Sequence, residues 1–172
     1  MRVLTVSGSV RRESTNANAL RALALVAPEP LRVEMVESLD TLPHFNPDLD
    51  ADGATPPPPV AALRARLRAA EAVVISTPEY AHGIPGVLKN ALDWLVSDGT
   101  LVGKRVLLLN ATPPAQFAYA SLAEILRTMN WQVIGAVELP LRGKKLSGEE
   151  IARHPDLASR LRDALAMLNP SG

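Results

Sequence analysis

The chain alternates short, densely apolar runs with longer segments whose apolar residues recur every three or four positions. Val3 to Ser7 is a β-rich run closed by Gly8, the pattern of a strand buried on both faces. A polar loop from Ser9 to Thr15 leads into an Ala/Leu-rich helix predicted over Asn16 to Val26. Ser14 is placed as its N-cap, and Pro28 and Pro30 stop it. Leu31 to Val36 alternates apolar and polar residues as a second strand, and further strands are predicted at Ala72–Ser76, Arg105–Leu109 and Gln132–Val137. Between them the pattern predicts helices over Val60–Ala70, with its arginines toward solvent, Pro85 to about Val96, and Gln116–Met129. Val87, Leu88, Ala91, Leu92 and Leu95 make the buried stripe of the helix that Pro85 opens. Ser147-Gly148-Glu149-Glu150 matches a capping box and opens a last helix to about Leu168. The proline-rich stretch Glu37–Pro59 lacks periodicity and reads as a long surface loop.

Five strands alternating with five helices predict an α/β fold, a three-layer sandwich with helices on both faces of a parallel sheet. The flavodoxin-like strand order 2-1-3-4-5 fits this element count best. A length of 172 residues suits a single domain spanning residues 1–172. In such a sheet ligands bind at the carboxyl ends of strands one and three, where the winding direction reverses. The fold therefore directs attention to Gly8–Asn16 and Thr77–Gly83.

Composition narrows the chemistry. Lys+Arg and Asp+Glu balance at 18 each, which argues against nucleic acid or an anionic membrane surface as partner. The absence of cysteine removes disulfides, thiolate metal sites and thiol redox chemistry, so any redox role rests on a bound cofactor. His44, His82 and His154 are scattered without metal-ligand spacing, and no nucleophile elbow is present. The opening Met1-Arg2-Val3-Leu4 reads as a strand rather than a leader, and cytoplasmic is the expected location.

Two loops carry candidate chemistry. Ser9, Arg11, Ser14, Thr15 and Asn16 gather hydroxyls, an amide and a guanidinium between a strand and a helix N-terminus, where unpaired N–H groups suit a phosphate. The loop lacks the glycines and lysine of a Walker A site and the G-x-G-x-x-G pattern, so a monophosphate fits better than a pyrophosphate. Helix capping by Ser14 or Thr15, with solvated arginines, explains the same residues without a ligand. Pro78, Glu79, Tyr80, Ala81, His82 and Gly83 lie on the facing loop, where Pro and Gly fix a backbone path able to present main-chain groups to a flat heterocycle. A solvated or helix-capping Glu79, a packed Tyr80 and a surface His82 are the plainer readings.

Gly8-Ser9-x-Arg11-x-x-Ser14-x-Asn16, together with the run from Pro78 to Trp94, closely resembles the NADPH-dependent FMN reductase family. That group includes chromate, azo and quinone reductases. Leu42-Pro43-x-Phe45-Asn46-x-Asp48-Leu49 resembles the family's segment after strand two. The resemblance implies that Ser9, Arg11, Ser14, Thr15 and Asn16 hold the FMN phosphate and that Pro78–Gly83 lines the isoalloxazine, largely through backbone. It implies NADPH or NADH as donor and a small-molecule acceptor such as a quinone, azo compound, metal oxyanion or free flavin. It also implies a homodimer or homotetramer, with the helix holding Lys89, Asn90, Asp93 and Trp94 at a subunit contact; a solvated polar face with Trp94 in the core is the alternative there. Ala81 stands where the family usually has Asn. Asn110–Phe117 replaces a segment that is often Gly-rich. No side-chain general acid is required, so no catalytic residue is expected. The rival readings are an electron-carrier flavodoxin, disfavoured by the balanced charge, and a non-catalytic flavin-binding regulatory domain.

Overall fold

In the computed structural model, which describes residues 1–51 and 53–169, the apolar runs pair as one parallel sheet. Its strands are β1 (Arg2–Ser7), β2 (Arg32–Met35), β3 (Ala72–Ser76), β4 (Arg105–Asn110) and β5 (Gln132–Glu138). They lie in the order β2-β1-β3-β4-β5, as the flavodoxin-like reading expects. The connecting helices are α1 (Thr15–Leu25), α2 (Pro58–Ala69), α3 (Gly86–Asp93), α4 (Gln116–Thr128), α5 (Gly148–Arg153) and α6 (Pro155–Ala166).

Side chains of the central strands sort by parity, because successive Cβ atoms leave opposite faces of a sheet. Leu4, Val6, Val73, Ile75, Val106 and Leu108 enter one apolar layer with Leu67 of α2, Leu88 and Leu92 of α3, and Leu122 of α4. Val3, Ala72, Val74, Leu107 and Leu109 enter the other, with Leu20 and Leu23 of α1, Ile151 of α5 and Leu161 of α6. Both faces are covered, which is why β3 and, apart from the buried Thr5, β1 read as apolar runs.

This packing sets the ends of β1 and β3 side by side. Ser7 pairs with Ser76, and the Gly8 N–H donates to Ser76 O at 2.8 Å. A Cβ at residue 8 would lie 2.3 Å from Thr77 Oγ1 and 2.8 Å from Thr77 Cβ. Only glycine lets the two chains pass this close.

Three expectations need correction. The last helix is two: His154 takes an extended ψ of 117° between α5 and α6. Pro155 disfavours helical backbone at the residue before it, so the run that the Ser147 capping box opens ends at Arg153. The arginines of α2 do not all face solvent. Arg64 is buried, and its guanidinium donates to Asp50 Oδ1 at 2.7 Å, to Ser97 Oγ at 3.0 Å and to the Trp94 carbonyl. A buried guanidinium needs partners for its donors, and here Nε and Nη2 have them. The helix opened by Pro85 stops at Asp93 rather than Val96. Among the described residues no helix is long and apolar enough to cross a membrane.

Candidate cofactor site

The loop after β1 is shaped by its own hydroxyls. Ser9 N–H donates to Ser7 Oγ at 3.2 Å, and Arg11 N–H to Ser9 Oγ at 3.3 Å. Ser14 is the N-cap of α1, its Oγ accepting from Ala17 N–H at 3.3 Å. In the Ser9 and Ser14 contacts to Arg11 and Ala17 the hydroxyl is an acceptor, so its own proton stays available to a ligand oxygen. The backbone N–H groups of Thr15 and Asn16 have no partner among the described residues, as the first turn of a helix requires. Asn16 is buried, and its Oδ1 accepts from Ser76 Oγ at 2.9 Å, which leaves Nδ2 without a protein partner among the described residues. Arg11 and Arg12 are exposed. All five predicted phosphate ligands thus sit on one short arc, with Asn16 tied across to β3.

The facing loop is a tight turn. Tyr80 and Gly83 exchange two backbone hydrogen bonds at 3.0 Å each. The central residues, Ala81 and His82, both have positive φ, 49° and 58°, the geometry of a type I′ turn. That region costs an L-residue with a Cβ roughly 1–2 kcal/mol, less for Asn or Asp. Ala81 pays this without help from a polar side chain. The N–H and C=O groups of Ala81 and His82 have no protein partner among the described residues, and the side chain of Tyr80 is exposed.

Helix α4 holds this turn. Its N-cap position, Ala115, offers no side-chain bond, and Glu79 Oε2 instead accepts from Ala118 N–H at 3.0 Å. Glu79 is therefore a capping carboxylate, one of the plainer readings of that residue, placed where the helix dipole favours an anion. The His82 ring stacks on Phe117, with centroids 4.3 Å apart.

One residue of the site escaped the sequence reading. Tyr119 on α4 donates its hydroxyl to Leu109 O at 2.6 Å and accepts from Thr77 N–H at 3.3 Å, joining the ends of β4 and β3. Burial pushes its phenol up to about 12, so it stays protonated. Its position inside an amphipathic helix gave no signal, because its partners are distant in sequence.

The helix α3 motif has an internal role. Asn90 Nδ2 and Trp94 Nε1 both donate to Pro43 O, at 3.0 and 2.8 Å, and Asn90 Oδ1 accepts from Phe45 N–H at 2.7 Å. Trp94 is fully buried, edge-on to Phe45. Asn90 and Trp94 thus moor the long loop after β2, and Trp94 belongs to the core rather than to a subunit contact. Lys89 and Asp93 pair at the surface at 2.6 Å. Among the described residues no group of three or more His, Cys, Asp or Glu is arranged to hold a metal ion.

A family model for NADPH-dependent FMN reductase matches residues 1–144. The chain belongs to that family. The chain is similar to a quinone reductase of Escherichia coli, 39% identical over 110 residues, or 63% of this chain and 58% of that protein. An NAD(P)H-dependent FMN reductase of Pseudomonas aeruginosa is 39% identical over 94 residues, 55% of this chain and 49% of that one. The matched segments span about half of these relatives' own length. Among solved structures, a flavoenzyme NAD(P)H:(acceptor) oxidoreductase of Paracoccus denitrificans superposes with a TM-score of 0.72 at 25% identity, over 97% of this chain and 94% of that one. An NADH:FMN oxidoreductase, at 21% identity and a TM-score of 0.65, shares the fold.

Proposed function

We propose that the chain is an FMN-dependent NAD(P)H oxidoreductase that passes electrons to a small acceptor. The observation that carries this reading is the adjacency of two complementary surfaces at the ends of β1 and β3. One is an arc of unpaired donors suited to a monophosphate; the other is a rigid turn with free main-chain groups and an exposed Tyr80. The residues present fit FMN: the Thr15 and Asn16 N–H groups, Asn16 Nδ2, the Ser9 and Ser14 hydroxyls and the Arg11 guanidinium would hold the phosphate. Pro78 to Gly83 would line the ring, with the Ala81 and His82 backbone facing its polar edge.

The chemistry supplied by bound FMN is hydride acceptance from reduced nicotinamide and return of electrons to the acceptor. The protein's own part is positioning. Glu79 and His82 fix the turn against α4, and Tyr119 fixes the ends of β3 and β4, so the ring would meet a preorganised wall. Acceptors of the quinone, azo, metal-oxyanion or free-flavin class suit an exposed site of this kind. The same reading places the enzyme in the cytoplasm, where its donor is abundant, and takes it to work as a homodimer or homotetramer; sedimentation tests the latter.

The deciding experiment is a visible spectrum of protein passed over a desalting column after mixing with FMN. Flavin bands that co-elute with protein and bleach on anaerobic NADPH addition are expected. Colourless protein ends the proposal.

A further inference from the structure

The chain has two residues each of Phe, Tyr and Trp, and the fold uses four of these rings internally. Trp94 and Trp131 are buried, Phe45 packs edge-on against Trp94, and Tyr119 ties β3 to β4. Tyr80 and Phe117 are left, 57% and 45% exposed, and both stand at the Tyr80–Gly83 turn. Single exposed apolar side chains are ordinary on a protein surface. Here the two uncommitted rings among the described residues gather beside one turn.

Phe117 is also held in place. Its ring lies nearly parallel to that of His82, at 20° and with centroids 4.3 Å apart. His82 is exposed and comes from a turn position with φ 58°, while Phe117 comes from the first turn of α4. The turn follows β3 and α4 follows β4, so the stack gives the carboxyl end of the sheet an aromatic face beside the proposed ring seat.

The charge around this face is one-sided. The segments that build it hold no Lys or Arg: none lies between Arg68 and Lys89, nor between Arg105 and Arg127. Lys89 is itself paired with Asp93. The N-terminus of α4, which would otherwise attract an anion, already holds the Glu79 carboxylate. Arg11 and Arg12 lie on the arc's own loop. A metal oxyanion is a compact, strongly hydrated anion and gives up water only to cations or convergent donors. A flat conjugated molecule instead gains from stacking on an exposed ring.

We propose that Phe117, stacked on His82 and flanked by Tyr80, is the specificity-determining residue for the acceptor, favouring flat, uncharged conjugated molecules over metal oxyanions. Quinones and azo arenes share that chemistry. For a quinone, NADPH and one solvent proton go in and NADP+ and hydroquinone come out, so electrons and protons balance. A small acceptor has few contacts besides this face, whereas the donor carries a whole dinucleotide to bind by, so the ring matters most in the acceptor step. The inference rests on the FMN reading and narrows its acceptor.

The test measures kcat/KM at saturating FMN for menadione, azobenzene, chromate and ferricyanide, the last a globular anion that takes single electrons without stacking. Wild type should use menadione or azobenzene at least about tenfold better than chromate, the upper range of one aromatic contact. The better of the two tells quinone from azo arene. Phe117→Leu keeps apolar bulk and removes the π face; it should lower the menadione-to-ferricyanide ratio roughly two- to tenfold. Phe117→Tyr should hold the wild-type ratio. Loss of support for the turn lowers every acceptor alike, so a parallel fall overturns the proposal. An unchanged ratio in Phe117→Leu overturns it too, as does wild type that uses chromate as well as the aromatic acceptors. Wild type that takes up no FMN overturns the FMN reading and this inference with it. Wild type that holds FMN and bleaches with NADPH, but fails the ratio test, overturns this inference alone.

Discussion

The two halves of the candidate site are built on opposite principles. The arc after β1 is self-supporting: Ser7, Ser9 and Ser14 shape it through contacts two or three residues apart. The Tyr80–Gly83 turn is not. Two non-glycine residues sit at positive φ there, and the turn is held from outside by Glu79 on Ala118 N–H and by His82 on Phe117. Local shaping suits a grip on a small, symmetric anion, whereas external support lets α4 and its preceding loop tune the wall proposed for the ring. The first half should tolerate changes in α4, and the second should not.

The strongest way to break the comparison is to push the halves apart. Gly8→Ala brings a methyl within 2.3 Å of Thr77 Oγ1. It should cost about 3 kcal/mol, the upper part of the overpacking range, and abolish FMN retention on a desalting column. Alkaline titration probes the joint between β3 and β4. The Tyr119 phenol is raised above its unfolded value of 10 to about 12, so the folded state binds the proton more tightly. Its contribution is complete below pH 10 and is lost as pH rises toward about 12, amounting to roughly 2–3 kcal/mol. Urea melts of Tyr119→Phe should lack that component. Glu79→Ala leaves the first turn of α4 uncapped and should lower stability by about 1 kcal/mol. It should weaken flavin binding through the ring while leaving inorganic phosphate affinity unchanged, which separates the two halves directly. Ala81→Gly relieves the strained φ and should raise stability by up to about 1 kcal/mol, seen as a small rise in Tm.

The sheet was legible because its central strands are buried on both faces and carry apolar runs, broken in β1 only by the buried Thr5. The arc was legible because its residues are contiguous. What escaped depends on partners far along the chain. Arg64 looked solvent-facing because Asp50, Trp94 and Ser97 are 14 to 33 residues away. A capping role for Glu79 was among the readings, but the helix it caps, 39 residues on, was not named. The Tyr80–Gly83 turn carries Ala-His where a type I′ turn is usually announced by Asn-Gly, so its form was hidden. The split at Pro155 is different: the residue itself signals it, and the amphipathic pattern that resumes in α6 masked the break.

Pro43 O receives side-chain donors from Asn90 of α3 and from Trp94 at its C-cap, and Asp50 is fastened by Arg64. Residues 53–55, beyond those moorings and before α2, are exposed. Because loop-closure entropy grows only slowly with length, that short stretch is the natural place to splice in a tag, a fluorophore site or a tether to a surface, with the candidate cofactor end of the sheet left undisturbed.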